Sequence, residues 1–116
     1  MTNVAIFVSG NGTNCENIIQ YFKDSKDVRI SLVISNKSEA YALIRAANNG
    51  IPTAVVSKQE LNDEASTMAL MQKYSVDFIV LAGFLMMIPS FLITHYDRRI
   101  INIHPALLPK YGGKGM

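Results

Sequence analysis

Short apolar runs alternate along this chain with segments of helical period, and that alternation restricts it to one broad class of fold. Apolar runs occupy residues 4–8, 29–34, 53–56, 78–81 and 100–103, each of strand length and rich in Val, Ile, Leu and Phe. Between them, residues 14–22 carry Ile18, Ile19 and Phe22 on one helical side, residues 39–48 close on Asn49-Gly50, and residues 62–74 and 89–96 read as further helices. Strands separated by helices imply a parallel sheet covered on both faces, joined by right-handed crossovers. The expectation is an α/β fold without repeat, linker or low-complexity tract.

At 116 residues the chain fits one domain, with about two-thirds of its unfolded surface available for burial. Eleven Lys and Arg stand against nine Asp and Glu, a balance of +2 that forms no basic stripe; this argues against a nucleic-acid surface and leaves room for local anion sites. The single cysteine, Cys15, can form no internal disulfide, and the first residues lack the charged start and cleavage site of a signal peptide. The expected compartment is the cytoplasm. Residues 78–93 carry no charge, yet Gly83 and Pro89 interrupt them and the run is shorter than the ~20 apolar residues a membrane span requires. They read as a buried strand, a loop and an amphipathic helix.

The expected topology predicts where a ligand binds. If the first three strands run outward and the fourth returns beside the first, the switch point falls between the carboxyl ends of strands one and four. Three unusual segments then converge: residues 9–14 (Ser-Gly-Asn-Gly-Thr-Asn), residues 82–87 (Ala-Gly-Phe-Leu-Met-Met), and residues 102–105 (Asn-Ile-His-Pro). The first is a glycine-rich loop opening a helix, where free N–H groups and the helix dipole can hold a phosphate, with Thr13 and Asn14 as additional donors. It is not a dinucleotide fingerprint, because Cys15 replaces the third glycine and the second strand ends in Ser35-Asn36-Lys37 with no acid for a ribose. The alternative is a tight turn with Thr13 or Asn14 as N-cap.

Asn102 and His104 are two residues apart, so on an extended strand both project from one face while Ile101 and Ile103 project from the other. An amide and an imidazole on one site can stabilise an oxyanion and move a proton. The competing reading is a polar strand end satisfied by neighbouring backbone. Cys15 reads as a buried structural thiol and His95 as a surface histidine. Met86 and Met87 read as core filler, or as polarizable walls for a flat heteroaromatic ligand. No His, Cys or carboxylate spacing suggests a metal site.

Residues 9–14, residues 81–84 (Leu-Ala-Gly-Phe) and residues 101–111 (Ile-Asn-Ile-His-Pro-Ala-Leu-Leu-Pro-Lys-Tyr) together resemble the three signatures of the phosphoribosylglycinamide formyltransferase family, in order and spacing along essentially the whole chain. The last block is shared with the wider folate-dependent formyltransferases and with formyltetrahydrofolate hydrolase; the glycine loop points to the glycinamide ribonucleotide enzyme. The resemblance implies a Rossmann-like parallel sheet forming the N-terminal domain of such an enzyme, with residues 1–116 as one unit and the C-terminal part of the family fold absent. It implies 10-formyltetrahydrofolate as co-substrate and glycinamide ribonucleotide as acceptor, in purine biosynthesis. His104 would assist proton transfer, and Asn102 would hydrogen-bond the oxyanion. Leu85, Met86, Met87 and Ile88 would line the pterin pocket; Gly12, Thr13 and Asn14 would hold the phosphate, with the Gly83 backbone close to substrate.

Two departures accompany the resemblance. Family members continue beyond Met116 and supply an aspartate that pairs with the histidine; a chain of this length is expected to leave an apolar edge or face open for self-association or for pairing with that following segment. Where the family often places an arginine in the folate region, this chain has Ser57-Lys58-Gln59-Glu60. The alternatives are a formyltetrahydrofolate hydrolase, with water as acceptor, and a nucleotide-binding module without turnover.

Overall fold

The computed structural model describes residues 1–103. Five strands, β1 (Thr2–Phe7), β2 (Val28–Ser35), β3 (Thr53–Val55), β4 (Phe78–Ala82) and β5 (Ile100–Ile103), form one all-parallel sheet in the order β3-β2-β1-β4-β5. The chain thus winds outward through β3 and returns to place β4 beside β1, as the alternation predicts.

Both faces are covered, which explains why the central strands are apolar throughout. On one face, Val4, Ile6, Val8, Val33, Val80 and Ala82 pack against α1 (Thr13–Phe22) and α2 (Tyr41–Asn48) through Cys15, Ile19, Ala42 and Ala46. On the other, Ala5, Phe7, Leu32, Ile34 and Ile79 meet α3 (Lys58–Leu61), α4 (Glu64–Lys73) and α5 (Ser90–His95) through Leu61, Met71, Leu92 and Tyr96. The Tyr96 hydroxyl donates to the Val76 carbonyl at 2.9 Å, fixing the end of α5 to the start of β4. No helix among the described residues is long and apolar enough to cross a membrane.

The expected helix over 62–74 is α4, and a short helix that the hydrophobic period does not show, α3, precedes it. Ser57 caps α3 in a reciprocal box with Glu60, its hydroxyl accepting from the Glu60 N–H at 3.0 Å while the Glu60 carboxylate accepts from the Ser57 N–H at 2.8 Å. Asp63 then opens α4 by accepting from the Ser66 N–H. The segment in which the family often places an arginine is therefore a helix start in this chain. A second local surprise lies in β2, where Val4 pairs with Ile30 and Ala5 with Leu32, leaving Ser31 as a bulge whose buried hydroxyl has no partner among the described residues.

Among the described residues, the fifth strand is the outermost of the sheet. β5 pairs only with β4, Ile100 packs with the α3–α5 side and Ile103 with the α1–α2 side, and Ile101 remains 49% exposed. Among the described residues β5 therefore has a neighbour on one flank only, which apolar composition alone does not reveal.

Candidate functional site

The glycine loop forms one wall of a crevice at the switch point. Gly12 precedes α1 with φ +84°, and no side chain caps the helix; neither Thr13 nor Asn14 takes the N-cap role weighed for them. Glu16 N–H makes the first helical bond, to the Gly12 carbonyl at 2.8 Å. The amides of Thr13, Asn14 and Cys15 are the first-turn groups that a helix leaves without an intrahelical partner, at the positive end of its dipole. Gly10, Gly12, Thr13 and Asn14 share a pocket of about 300 Å³ with Ala82 and Gly83 from the end of β4. Gly83 itself turns at φ +72°, a conformation that glycine adopts without a Cβ clash.

What fixes this loop is a set of contacts that short-range reading misses. A Cβ built on Gly12 would lie 2.5 Å from Ala42 Cβ and 2.7 Å from Ala42 Cα, so the loop is pressed directly onto α2. Arg45, one turn further along α2, donates through Nε to the Asn11 carbonyl and through Nη2 to Asn11 Oδ1, both at 3.0 Å. Its guanidinium also lies 4.8 Å from the Tyr41 ring centroid and 3.9 Å from Glu16. The small residues Ala42 and Ala46, both fully buried and four apart, are the sequence signal for this close approach.

Ser9, which the sequence marks only as the start of the loop, is buried and joins three segments. Its hydroxyl donates to Asn36 Oδ1 at 2.7 Å and accepts from the Leu85 N–H at 2.8 Å, while its own N–H donates to the Gly83 carbonyl at 3.3 Å. Between those two bonded positions, the Phe84 ring meets Phe7 edge to face at 5.3 Å.

The strip after Gly83 divides by alternation. Met86 and Ile88 pack against the core, whereas Leu85 is 76% and Met87 89% exposed. All four line a groove of about 720 Å³ whose other side includes Lys58 and Asn62, so Met86 is partly core filler and Met87 is not. Lys58 thus reaches the groove from the segment in which the resemblance expects an arginine. Asn102 lies on β5 opposite Leu81, on the face of α3–α5 by alternation from Ile100. It is exposed, and its amide has no partner among the described residues. His104 lies outside the described residues, so the expected pairing of amide and imidazole rests on sequence spacing.

The other two candidates follow their structural readings. His95 is half exposed, with Nε2 3.5 Å from Glu64. Cys15 is fully buried, and burial, reinforced by Glu16 and opposed by Arg45, pushes its thiol up to about 12. Folded protein is therefore expected to leave Cys15 unmodified by a thiol-specific disulfide reagent at pH 8, with stoichiometric reaction on unfolding. Because the folded-state value lies above that of the unfolded chain, the thiol contributes stability below about pH 9 that is lost as pH rises towards 12. Rapid labelling of the native chain would contradict the buried assignment.

These features define an α/β protein of doubly wound type, with a crevice at the carboxyl ends of β1 and β4 that the uncapped start of α1 borders. Residues 2–116 match the family described as "Formyl transferase", and the chain belongs to that family. It is 42% identical over 119 residues to the chloroplastic phosphoribosylglycinamide formyltransferase of Arabidopsis thaliana, covering 97% of this chain and 41% of that protein. With the phosphoribosylglycinamide formyltransferase of Escherichia coli (strain K12) it shares 38% identity over 116 residues, covering 96% and 55%. The crystal structure of phosphoribosylglycinamide formyltransferase from Anaplasma phagocytophilum superimposes with a TM-score of 0.82 at 38% identity, covering 98% of this chain and 55% of the other. That of glycinamide ribonucleotide transformylase 1 from Geobacillus kaustophilus gives 0.82 at 32%, covering 99% and 64%. The chain spans about half the length of these relatives.

Proposed function

We propose that this chain supplies the acceptor-phosphate loop, the oxyanion donor and part of the folate groove of an enzyme that formylates glycinamide ribonucleotide from 10-formyltetrahydrofolate in purine biosynthesis. The observation that carries the reading is the crevice in which Gly12, Thr13 and Asn14 face Ala82 and Gly83. A phosphate monoester fits the uncapped start of α1, and the short reach from there to the carboxyl ends of β4 and β5 sets the ribonucleotide's amine beside the formyl donor.

The groove suits a flat heteroaromatic co-substrate. Leu85 and Met87 offer apolar, polarizable surface, and the Lys58 ammonium can pair with a carboxylate of the folate tail. In the transfer, the acceptor amine attacks the formyl carbon and a C–N bond forms. The carbonyl oxygen takes the negative charge and accepts a hydrogen bond from the Asn102 amide. His104 takes up the proton lost by the amine and returns it as the bond to N10 of the leaving tetrahydrofolate breaks. By the same resemblance, the aspartate that orients the histidine lies beyond Met116. The cytoplasm is the proposed compartment.

The test is a transfer assay on the protein at its natural length, following formylated glycinamide ribonucleotide and tetrahydrofolate by mass spectrometry. Equimolar formation of the two, dependent on both substrates, is expected. Formate release that does not require the ribonucleotide would overturn the assignment in favour of hydrolysis. Residues 1–116 expressed alone are expected to transfer nothing, and turnover by that piece would show the aspartate to be dispensable.

A further inference from the structure

We propose that Ser9 is a positioning residue that holds the folate strip in register with the glycine loop, so that one buried hydroxyl sets the spacing between the two substrate sites; this rests on the formyl-transfer reading above. Ser9 opens the glycine loop two residues past the end of β1, and its bonds run across to other segments rather than along that loop. The hydroxyl proton goes to Asn36 Oδ1 at 2.7 Å, which fixes the rotor and turns a lone pair towards the Leu85 N–H at 2.8 Å. The Ser9 N–H holds the Gly83 carbonyl. Two residues of the β4–α5 connection are therefore bound by one residue just past β1, with the Phe84 ring seated on Phe7 between them.

This arrangement separates position from stability. Leu85 is 76% exposed, so water can satisfy its N–H if the hydroxyl is removed, and the fold loses little. What is lost is the constraint on where the strip lies, and a misplacement of about 1 Å in a substrate-positioning element can lower rates about 100-fold. The glycine loop has independent supports in Gly12 against Ala42 and Asn11 against Arg45. Loss of the Ser9 hydroxyl should therefore affect the donor side of the site selectively.

The measurements use Ser9→Ala, Ser9→Thr and Asn36→Ala in the protein at natural length. Ser9→Ala is expected to raise KM for 10-formyltetrahydrofolate about 10-fold, the size of one lost hydrogen bond to a part-buried group, and to change the Kd for glycinamide ribonucleotide less than twofold. The Leu85 amide should exchange with solvent about 10-fold faster, after correction for global stability. Ser9→Thr keeps the hydroxyl and is expected to restore both readouts. Asn36→Ala, which frees the rotor at a half-buried position, is expected to move both in the same direction by a smaller factor, and it decides the matter if Ser9→Ala does not fold. A donor KM within twofold of the parent, or an equal loss on the ribonucleotide side, would overturn the proposal. If the parent protein forms no formylated ribonucleotide, the functional reading fails; Leu85 exchange then decides alone, and unchanged exchange removes Ser9 from its role.

Discussion

Asn102→Ala is expected to lower turnover about 100- to 1,000-fold, the usual effect of removing one oxyanion donor, and His104→Ala to lower it at least as much. In the proposed transfer the amide acts on an oxygen that becomes charged only as the acceptor attacks, so its loss should appear in kcat with little change in the Kd of either substrate. Position supports the choice of residue. Asn102 is near the end of β5, beside Leu81, which stands two residues before the Gly83 turn that lines the crevice of the glycine loop. It is exposed on an otherwise apolar strand. Replacing it costs no buried contact, and circular dichroism should be unchanged. The check is steady-state kinetics on the protein at natural length, with substrate affinities measured separately by calorimetry. Near-normal turnover in His104→Ala with an intact fold would remove the imidazole from the mechanism, and an Asn102→Ala variant that loses affinity instead of rate would make the amide a binding group.

The sheet order was legible because parallel strands buried on both faces carry continuous apolar runs, as β1, β2 and β4 do over residues 4–7, 32–34 and 78–82. The return of β4 to β1 followed from the family of topologies that such alternation permits. The outermost position of β5 among the described residues was not legible, since Ile100–Ile103 is as apolar as a buried strand. The helix over Lys58–Leu61 was missed because hydrophobic period cannot register a four-residue element, although the Ser57 and Glu60 spacing is a capping box that could have shown it. In the site, the glycine loop and Gly83 were found because glycine at a strand end is a local signal. Ser9 and Arg45 were not found. Their partners lie 27 and 76 residues from Ser9 and 34 from Arg45, and a polar side chain whose function is to join distant segments has no local pattern. The proposed role of Asn102 rests on its placement on a strand face, and that of His104, outside the described residues, on the same spacing and the family resemblance.

Gly12 is where sequence reading and structure part most sharply, and Gly12→Val is expected to damage the fold before it reports on any ligand. Read from the sequence, the glycine admits a phosphate to the backbone, so a side chain there should weaken ribonucleotide binding alone. In the structure the missing side chain faces α2: a Cβ would sit 2.5 Å from Ala42 Cβ and 2.7 Å from Ala42 Cα, and neither atom is the free end of a flexible chain. The φ of +84° adds to this, since an L residue held in the left-handed region costs about 1–2 kcal/mol and overpacking a close approach about 1–3 kcal/mol. Together these take about 2–5 kcal/mol from a domain whose whole stability is typically about 5–15 kcal/mol. Urea denaturation should show the loss directly in Gly12→Ala, with a larger one in Gly12→Val because its branched side chain tolerates positive φ least. Adding Ala42→Gly should recover only part, as it removes the clash with the Ala42 methyl group and leaves the clash with the α2 backbone. A Gly12→Ala midpoint equal to that of the parent would show that the loop does not lie against α2 in this way. The phosphate question then belongs to Gly10, which lines the same crevice, has no positive φ and meets nothing within 4 Å of an added Cβ. Gly10→Ala is expected to keep parental stability to within about 0.5 kcal/mol, as surface substitutions generally do. Any weakening of ribonucleotide binding in that variant reports the approach of the ligand to the loop, free of the packing defect that Gly12 substitutions bring.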